Sequence, residues 1–310
     1  MPPFRYLVID GDVVPYEDAK LHIHTPAVRY GATAFEGIRA YWNGVHGQLY
    51  VFRCREHLER LLQSAELMGM KDIGYSVDDI QTVLIEMLRA NDVRQEVHIR
   101  PSLFVTGNGP IPARAPVSLG ILMAPAEQVI LRDQMEQRPF KVAVSSWRRI
   151  DDNTLSPRIK CAANYQNGRM ALIQAEEDGY DGALMMDSNG HITEEPRACF
   201  FMVRKGVPIT PGVSNDILES VTRETVIQLL HEQHGLDVLE RQVDRTEVYI
   251  ADEAFLCGTG LGIMPVGRVD RFTIGDGGPG LVTEAISDTY ADMVHGESDL
   301  HPEWLTHVYG

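Results

Sequence analysis

Strand-length apolar runs outnumber amphipathic helices in this chain, and the two follow one another in no regular alternation. Tyr6-Leu7-Val8-Ile9, Tyr50-Val51-Phe52-Arg53, Val97-His98-Ile99-Arg100, Val117 to Met123, Phe140 to Val144, Leu184-Met185-Met186, Phe200 to Val203 and Ala254 to Cys257 all read as strands. Leu58, Leu61, Leu62, Ala65 and Met68 recur at helical spacing, and Gly69 supplies a stop. A second helix is expected from Ser76, capped with the help of Asp79, to about Ala90, and a third from Ile217 to Leu230. A doubly wound sheet requires strand and helix to take turns, so the pattern predicts an α+β fold instead. With 310 residues there is room for two cores. The charged stretch from Pro125 to Pro139 reads as a linker over 126–138, between a small N-terminal domain (1–125) and a larger one (139–310). Pro101 interrupts a strand ladder and predicts an edge or a bulge, and Asn189-Gly190 predicts a hairpin turn.

Charge narrows the partners. A net charge of −16 argues against a nucleic-acid backbone, which needs basic patches. Cys54, Cys161, Cys199 and Cys257 show no Cys-x-x-Cys spacing, so neither zinc nor a disulfide framework is signalled, and buried reduced thiols are expected. The first residues lack the apolar stretch of a signal peptide, and no segment is apolar enough to span a membrane, so a cytoplasmic protein is expected.

Lysine is scarce: of 28 Lys+Arg only five are lysines, Lys20, Lys71, Lys141, Lys160 and Lys205. A lysine kept under such a bias is a candidate for amine chemistry, which a guanidinium cannot perform. Lys160 stands out, between Asp151-Asp152-Asn153-Thr154 and the helical segment Asn164-Tyr165-Gln166, although a surface lysine would look similar. If its amine captures a carbonyl cofactor, pyridoxal phosphate demands three further groups: a carboxylate for the ring nitrogen, a donor for the phenolic oxygen, and an arginine with backbone amides for the phosphate. Glu194, Tyr165, and the set Arg53, Val221, Thr222 and Thr259 are the candidates. Each has a plainer alternative: a strand-end carboxylate for Glu194, core packing for Tyr165, a salt bridge to Glu56 for Arg53.

Three other motifs carry less. Gly258-Thr259-Gly260-Leu261-Gly262 follows a strand but no helix follows it, so it is not a dinucleotide loop. His231-Glu232-Gln233-His234 has the wrong spacing for a zinc protease and decorates a helix end. His22-Ile23-His24 puts two imidazoles on one face if the segment is a strand, where exposed polar positions are the better reading than a metal site.

Tyr30-Gly31-Ala32-Thr33-Ala34-Phe35-Glu36-Gly37-Ile38-Arg39 resembles the early signature of the branched-chain aminotransferases, fold type IV of the pyridoxal phosphate enzymes. Phe52-Arg53-Cys54-Arg55-Glu56-His57, Ile99-Arg100-Pro101, Val144 to Trp147, Lys160 to Tyr165, Ile192-Thr193-Glu194, Thr222-Arg223 and Gly258-Thr259-Gly260 follow in the same order. The resemblance implies a two-domain D-amino acid aminotransferase-like fold with the site between domains. It makes Lys160 the Schiff-base lysine and proton shuttle, sets Glu194 on the ring nitrogen and Tyr165 on the ring oxygen, and gives the phosphate to Arg53, Val221, Thr222 and Thr259. Gly260 and Leu261 would offer amides to the substrate carboxylate, and Phe35, Gly37, Tyr30, His98 and Arg100 would shape the substrate side. Tyr30 and Arg100 are expected from the neighbouring subunit of a homodimer or larger homo-oligomer. The implied reaction moves the amino group of leucine, isoleucine or valine to 2-oxoglutarate; a D-amino acid or (R)-amine transaminase and an aminodeoxychorismate-type lyase share the fold. The chain departs from the pattern at His98, where a tyrosine is typical, and over Glu195-Pro196-Arg197 and Cys199, where a glycine and an asparagine are typical. Arg197 is either a carboxylate anchor or a partner for Glu195.

Overall fold

Residues 4–126 and 140–310 are described by the computed structural model, and the chain divides into two units. The first comprises Met1–Glu127, Ile159–Ala163 and Asp292–Gly310, the second Gln128–Arg158 and Asn164–Ala291. Two segments thus join the N-terminal unit from far along the sequence, where a continuous second domain over 139–310 was expected. The expected linker, save Ala126, lies outside the described residues.

The first unit is built on β1 (Tyr6–Ile9), β2 (Asp12–Pro15), β3 (Thr33–Phe35), β4 (Ile38–Asn43), β5 (Gln48–Phe52), β6 (Val97–Val105) and β7 (Val117–Pro125). With the C-terminal strand Leu305–His307 they form one sheet, and among the described residues its strand pairs are antiparallel. Period-two alternation gives β6 its two faces: Val97, Ile99, Leu103 and Val105 enter the core, while His98 and Arg100 lie on the other side, half-buried. Over the core face pack α2 (Cys54–Leu67) and α3 (Val77–Ala90), which follow the short α1 (Pro26–Tyr30). Ser76 and Asp79 form the expected capping box at the start of α3.

Pro101 marks neither an edge nor a bulge of β6. That strand runs straight through it with β7 in register on one side. On the other side the neighbour changes there, from β4 at Ile99 to β3 at Ser102, so a residue without an N–H falls where the ladder is interrupted. His22 and His24 also differ from expectation. They lie in a turn ahead of α1, rings stacked 5.7 Å apart, rather than on a strand.

The second unit holds β8 (Phe140–Arg148), β9 (Gly182–Met186), β10 (Glu194–Glu195), β11 (Ala198–Arg204), β12 (Val207–Thr210), β13 (Leu239–Glu240), β14 (Glu253–Gly258), β15 (Gly262–Val269) and β16 (Phe272–Thr273). They make a mixed sheet around Phe200, Leu256, Val142 and Leu184. Its helices are α4 (Ala162–Glu177), α5 (Val221–His234), α6 (Arg245–Val248) and α7 (Leu281–Val294). Asn189-Gly190 does turn the chain, with Gly190 at φ +90°, but the strand it feeds is β10, and Pro196-Arg197 then makes the return to β11. The third helix starts at Val221, with Ser220 as its cap, rather than at Ile217. Gly258 to Gly262 is the hairpin between antiparallel β14 and β15, which is why no helix follows it. All four cysteines are buried and none forms a disulfide.

Gly168 brings α4 against the β10–β11 turn: a Cβ there would lie 2.7 Å from Pro196 Cβ. Alanine should favour a helix over glycine by about 1 kcal/mol, but overpacking costs about 1–3 kcal/mol. Gly168→Ala is therefore expected to lower the urea midpoint, and a raised midpoint would show that the turn yields.

Candidate active site

Phe35, Gly37, His98, Arg100 and Lys160 of the first unit lie close together. Lys160 is tied by its backbone: its N–H donates to Ser64 Oγ at 3.1 Å, and its carbonyl accepts from Phe35 N–H at 3.0 Å. An antiparallel bridge joins Ala34 to Cys161. These bonds leave the Lys160 side chain over the Phe35 ring, Nζ 5.2 Å from its centroid, and the Arg100 guanidinium lies 3.6 Å over the same ring. Gly37 packs close beneath His98: a Cβ there would lie 3.0 Å from His98 Nε2, so the ring would have to give. Arg53 caps α2 at φ +46° and is 5% exposed; it pairs with Glu56 at 2.8 Å and packs 4.7 Å over Trp304, so the salt bridge weighed for it is present. Tyr30 ends α1, 38% exposed, its hydroxyl accepting from Arg29.

Phe35, Gly37, His98, Arg100 and Lys160 therefore form a cationic patch around one aromatic ring. Burial first, then Arg100 and Arg39, push His98 down to about 4, so the imidazole is neutral near pH 7. An unfolded histidine titrates near 6.5. A depressed folded value means that the unfolded chain binds the extra proton first, so His98 contributes stability that is present above pH 6.5 and lost as pH falls towards 4. His57, lowered chiefly by burial, acts in the same sense. Urea unfolding at both pH values should show this loss, and His98→Gln should shrink it; an unchanged difference would remove His98 as a source.

In the second unit, the remaining predicted residues collect at one end of the mixed sheet. Register carries Glu194 across to Cys199 and on to Cys257, next to the Gly258–Gly262 turn. Glu194 is 5% exposed; Arg149 Nη2 lies 2.7 Å from its Oε1, and Leu218 N–H donates to Oε2 at 3.1 Å. A solvated strand-end carboxylate is thereby excluded. Ser220 caps α5, whose first turn carries Val221 and Thr222 at the positive end of the helix dipole. The hydroxyls of Thr222 and Thr259 are 3.5 Å apart, and Gly260 and Leu261 complete that turn. Tyr165 lies half-buried on the first turns of α4. Arg197 clamps the fully buried Glu195 with its backbone and its guanidinium, at 2.6–2.9 Å, and is thus the partner rather than an anchor.

Sequence reasoning passed over Arg149. It stands in Trp147-Arg148-Arg149, one of two adjacent arginines at a strand end, and the available signal was indirect: a carboxylate that is to stay buried requires a cation. His231 and His234 bond Asp237 and Thr289. No group of three or more metal-ligating side chains occurs among the described residues. The donor set fits pyridoxal phosphate instead: an amine, a buried carboxylate, a phenol, and paired hydroxyls at a helix N-terminus.

Residues 33–269 match the family model of amino-transferase class IV. The chain belongs to that family. It is an aminotransferase, as the motifs implied. The probable branched-chain-amino-acid aminotransferase of Aquifex aeolicus is 36% identical over 308 residues, 98% of this chain and 97% of that protein. The branched-chain amino acid aminotransferase of Thermobaculum terrenum, solved in its PLP-form, is 39% identical with a TM-score of 0.93, covering 100% of both chains. The branched-chain aminotransferase of the archaeon Thermoproteus uzoniensis, solved with norvaline, is 35% identical with a TM-score of 0.92, over 99% of this chain and 100% of that one. The α+β, fold type IV architecture expected from the motifs is thus that of the family.

Proposed function

We propose that this aminotransferase moves the amino group of L-leucine, L-isoleucine or L-valine to 2-oxoglutarate, using pyridoxal phosphate. The observation that carries this reading is the near-full-length likeness to branched-chain enzymes together with the setting of Lys160. Pyridoxal phosphate supplies an electron sink for the pair left when the substrate α-proton departs. Lys160 would hold the cofactor through its amine and would move the proton at the substrate α-carbon. Glu194, paired with Arg149 at 2.7 Å, would face the ring nitrogen. Tyr165 would donate to the phenolic oxygen. Arg53, Thr222, Thr259 and the Val221 and Thr222 amides would hold the phosphate.

Gly260 and Leu261 present amides to the substrate carboxylate. Phe35, Gly37 and neutral His98 would offer an uncharged surface to an apolar side chain, and Arg100, stacked on the Phe35 ring, would receive the second carboxylate of glutamate. Tyr30 and Arg100 are the residues assigned to a neighbouring subunit, in a cytoplasmic homodimer or larger homo-oligomer. Among the described residues no helix is long and apolar enough to cross a membrane. The test is a donor panel with 2-oxoglutarate: L-leucine is expected to turn over faster than D-alanine or (R)-1-phenylethylamine. Faster turnover of either of the latter overturns the substrate assignment.

A further inference from the structure

One side of α2 carries His57, Arg60 and Ser64, spaced so that all three project together from the helix. Two of them converge on Glu36, which is 0% exposed. Arg60 reaches it through Nε at 2.7 Å and Nη2 at 2.9 Å, and His57 through Nδ1 at 2.8 Å. Burial alone would raise this carboxyl, but Arg60 and His57 outweigh it and hold it well below the usual carboxylate range. Glu36 also accepts from the Gly37 N–H at 3.2 Å, and its own N–H donates to Pro101 O at 2.9 Å. The carboxylate is therefore fixed at the bend between β3 and β4. One residue earlier, Phe35 holds the carbonyl of Lys160; one turn beyond Arg60, Ser64 holds its N–H. The two clamps on Lys160 sit on different elements, and the Glu36 cluster ties those elements together.

We propose that Glu36 is a positioning residue for Lys160: through Arg60 and His57 it locks α2 to the Phe35–Gly37 bend, so that Ser64 and Phe35 hold both ends of the Lys160 peptide in one register. The proposal rests on Lys160 being the cofactor lysine. Its test compares cofactor-loaded wild type with Glu36→Gln and Ser64→Ala. The second variant leaves the bonds from Arg60 and His57 to Glu36 whole, and so remains informative if the first folds poorly.

Both are expected to lower kcat, Glu36→Gln by about 10–100-fold, with KM for L-leucine changed far less. Both should also weaken the visible circular dichroism of the bound cofactor, which reports a fixed orientation and which a loss of stability alone would not move. Wild-type kcat and dichroism in Ser64→Ala overturn the proposal, as does a Glu36→Gln enzyme that loses only melting temperature. Borohydride fixation of wild type separates the two levels. A label on the peptide containing residue 160 alongside unaltered variants sinks only the positioning role, whereas a label elsewhere sinks the cofactor assignment and this proposal with it.

Discussion

Lys160→Ala is expected to lower kcat for L-leucine and 2-oxoglutarate by at least about 10⁴-fold, because one side chain supplies both the covalent anchor and the proton transfer, the latter alone contributing about 10²–10⁴-fold. The fold should survive. What positions residue 160 is its backbone, held by Ser64 Oγ and by Phe35 N–H, and both bonds remain when the side chain is cut back. The melting temperature should therefore stay near wild type while activity vanishes. Lys160→Arg should be equally inactive, since a guanidinium keeps its proton and is no nucleophile at neutral pH. Initial rates together with borohydride fixation decide the matter. Residual activity above about one per cent, against the proton-transfer factor just given, or fixation at another of the five lysines, would remove Lys160 from its role.

The features legible in the sequence are those that depend on near neighbours. Ser76 and Asp79 bond each other three residues apart, so the start of α3 could be read directly. The run around Phe35 and the isolation of Lys160 among arginines are likewise local, and they led to the family. The features that were not legible require the sheet to be assembled first. Pro101 breaks a ladder only because β4 gives way to β3 opposite it, and that exchange appears in no stretch of β6 itself. Residues 159–163 join the first unit through bonds to Ser64 and Phe35, each about a hundred residues or more away, so no local boundary signal exists. Glu36 lay inside the quoted signature but carried no role there, since its partners His57 and Arg60 are reached only once α2 has packed. His22 and His24 look alternating in sequence, yet the Pro26 that follows them begins a helix capped by Thr25, and a turn takes the place of the strand.

Arg149→Met is expected to lower the melting temperature by on the order of 10 °C, from a loss of about 3–5 kcal/mol when a buried pair loses one member. Arg149 and Glu194 are 10% and 6% exposed in their side chains and 2.7 Å apart, so neither charge can turn to water if the other is removed. The Leu218 N–H would remain on Glu194 Oε2, but a single amide does not replace a guanidinium. Replacing both members is a different matter. A buried ion pair exchanged for neutral groups of similar size is often near-neutral in stability, so Arg149→Met/Glu194→Gln should recover most of the lost melting temperature. Activity should not follow it. The double variant still lacks the carboxylate assigned to the ring nitrogen, and removal of one preorganised electrostatic group of this kind costs about 10²–10³-fold in kcat. Stability and turnover are thereby pulled apart in one protein. Restored melting with depressed kcat places the Glu194 charge in the chemistry, while restored kcat would reduce the pair to a structural bond and require another group at the ring nitrogen.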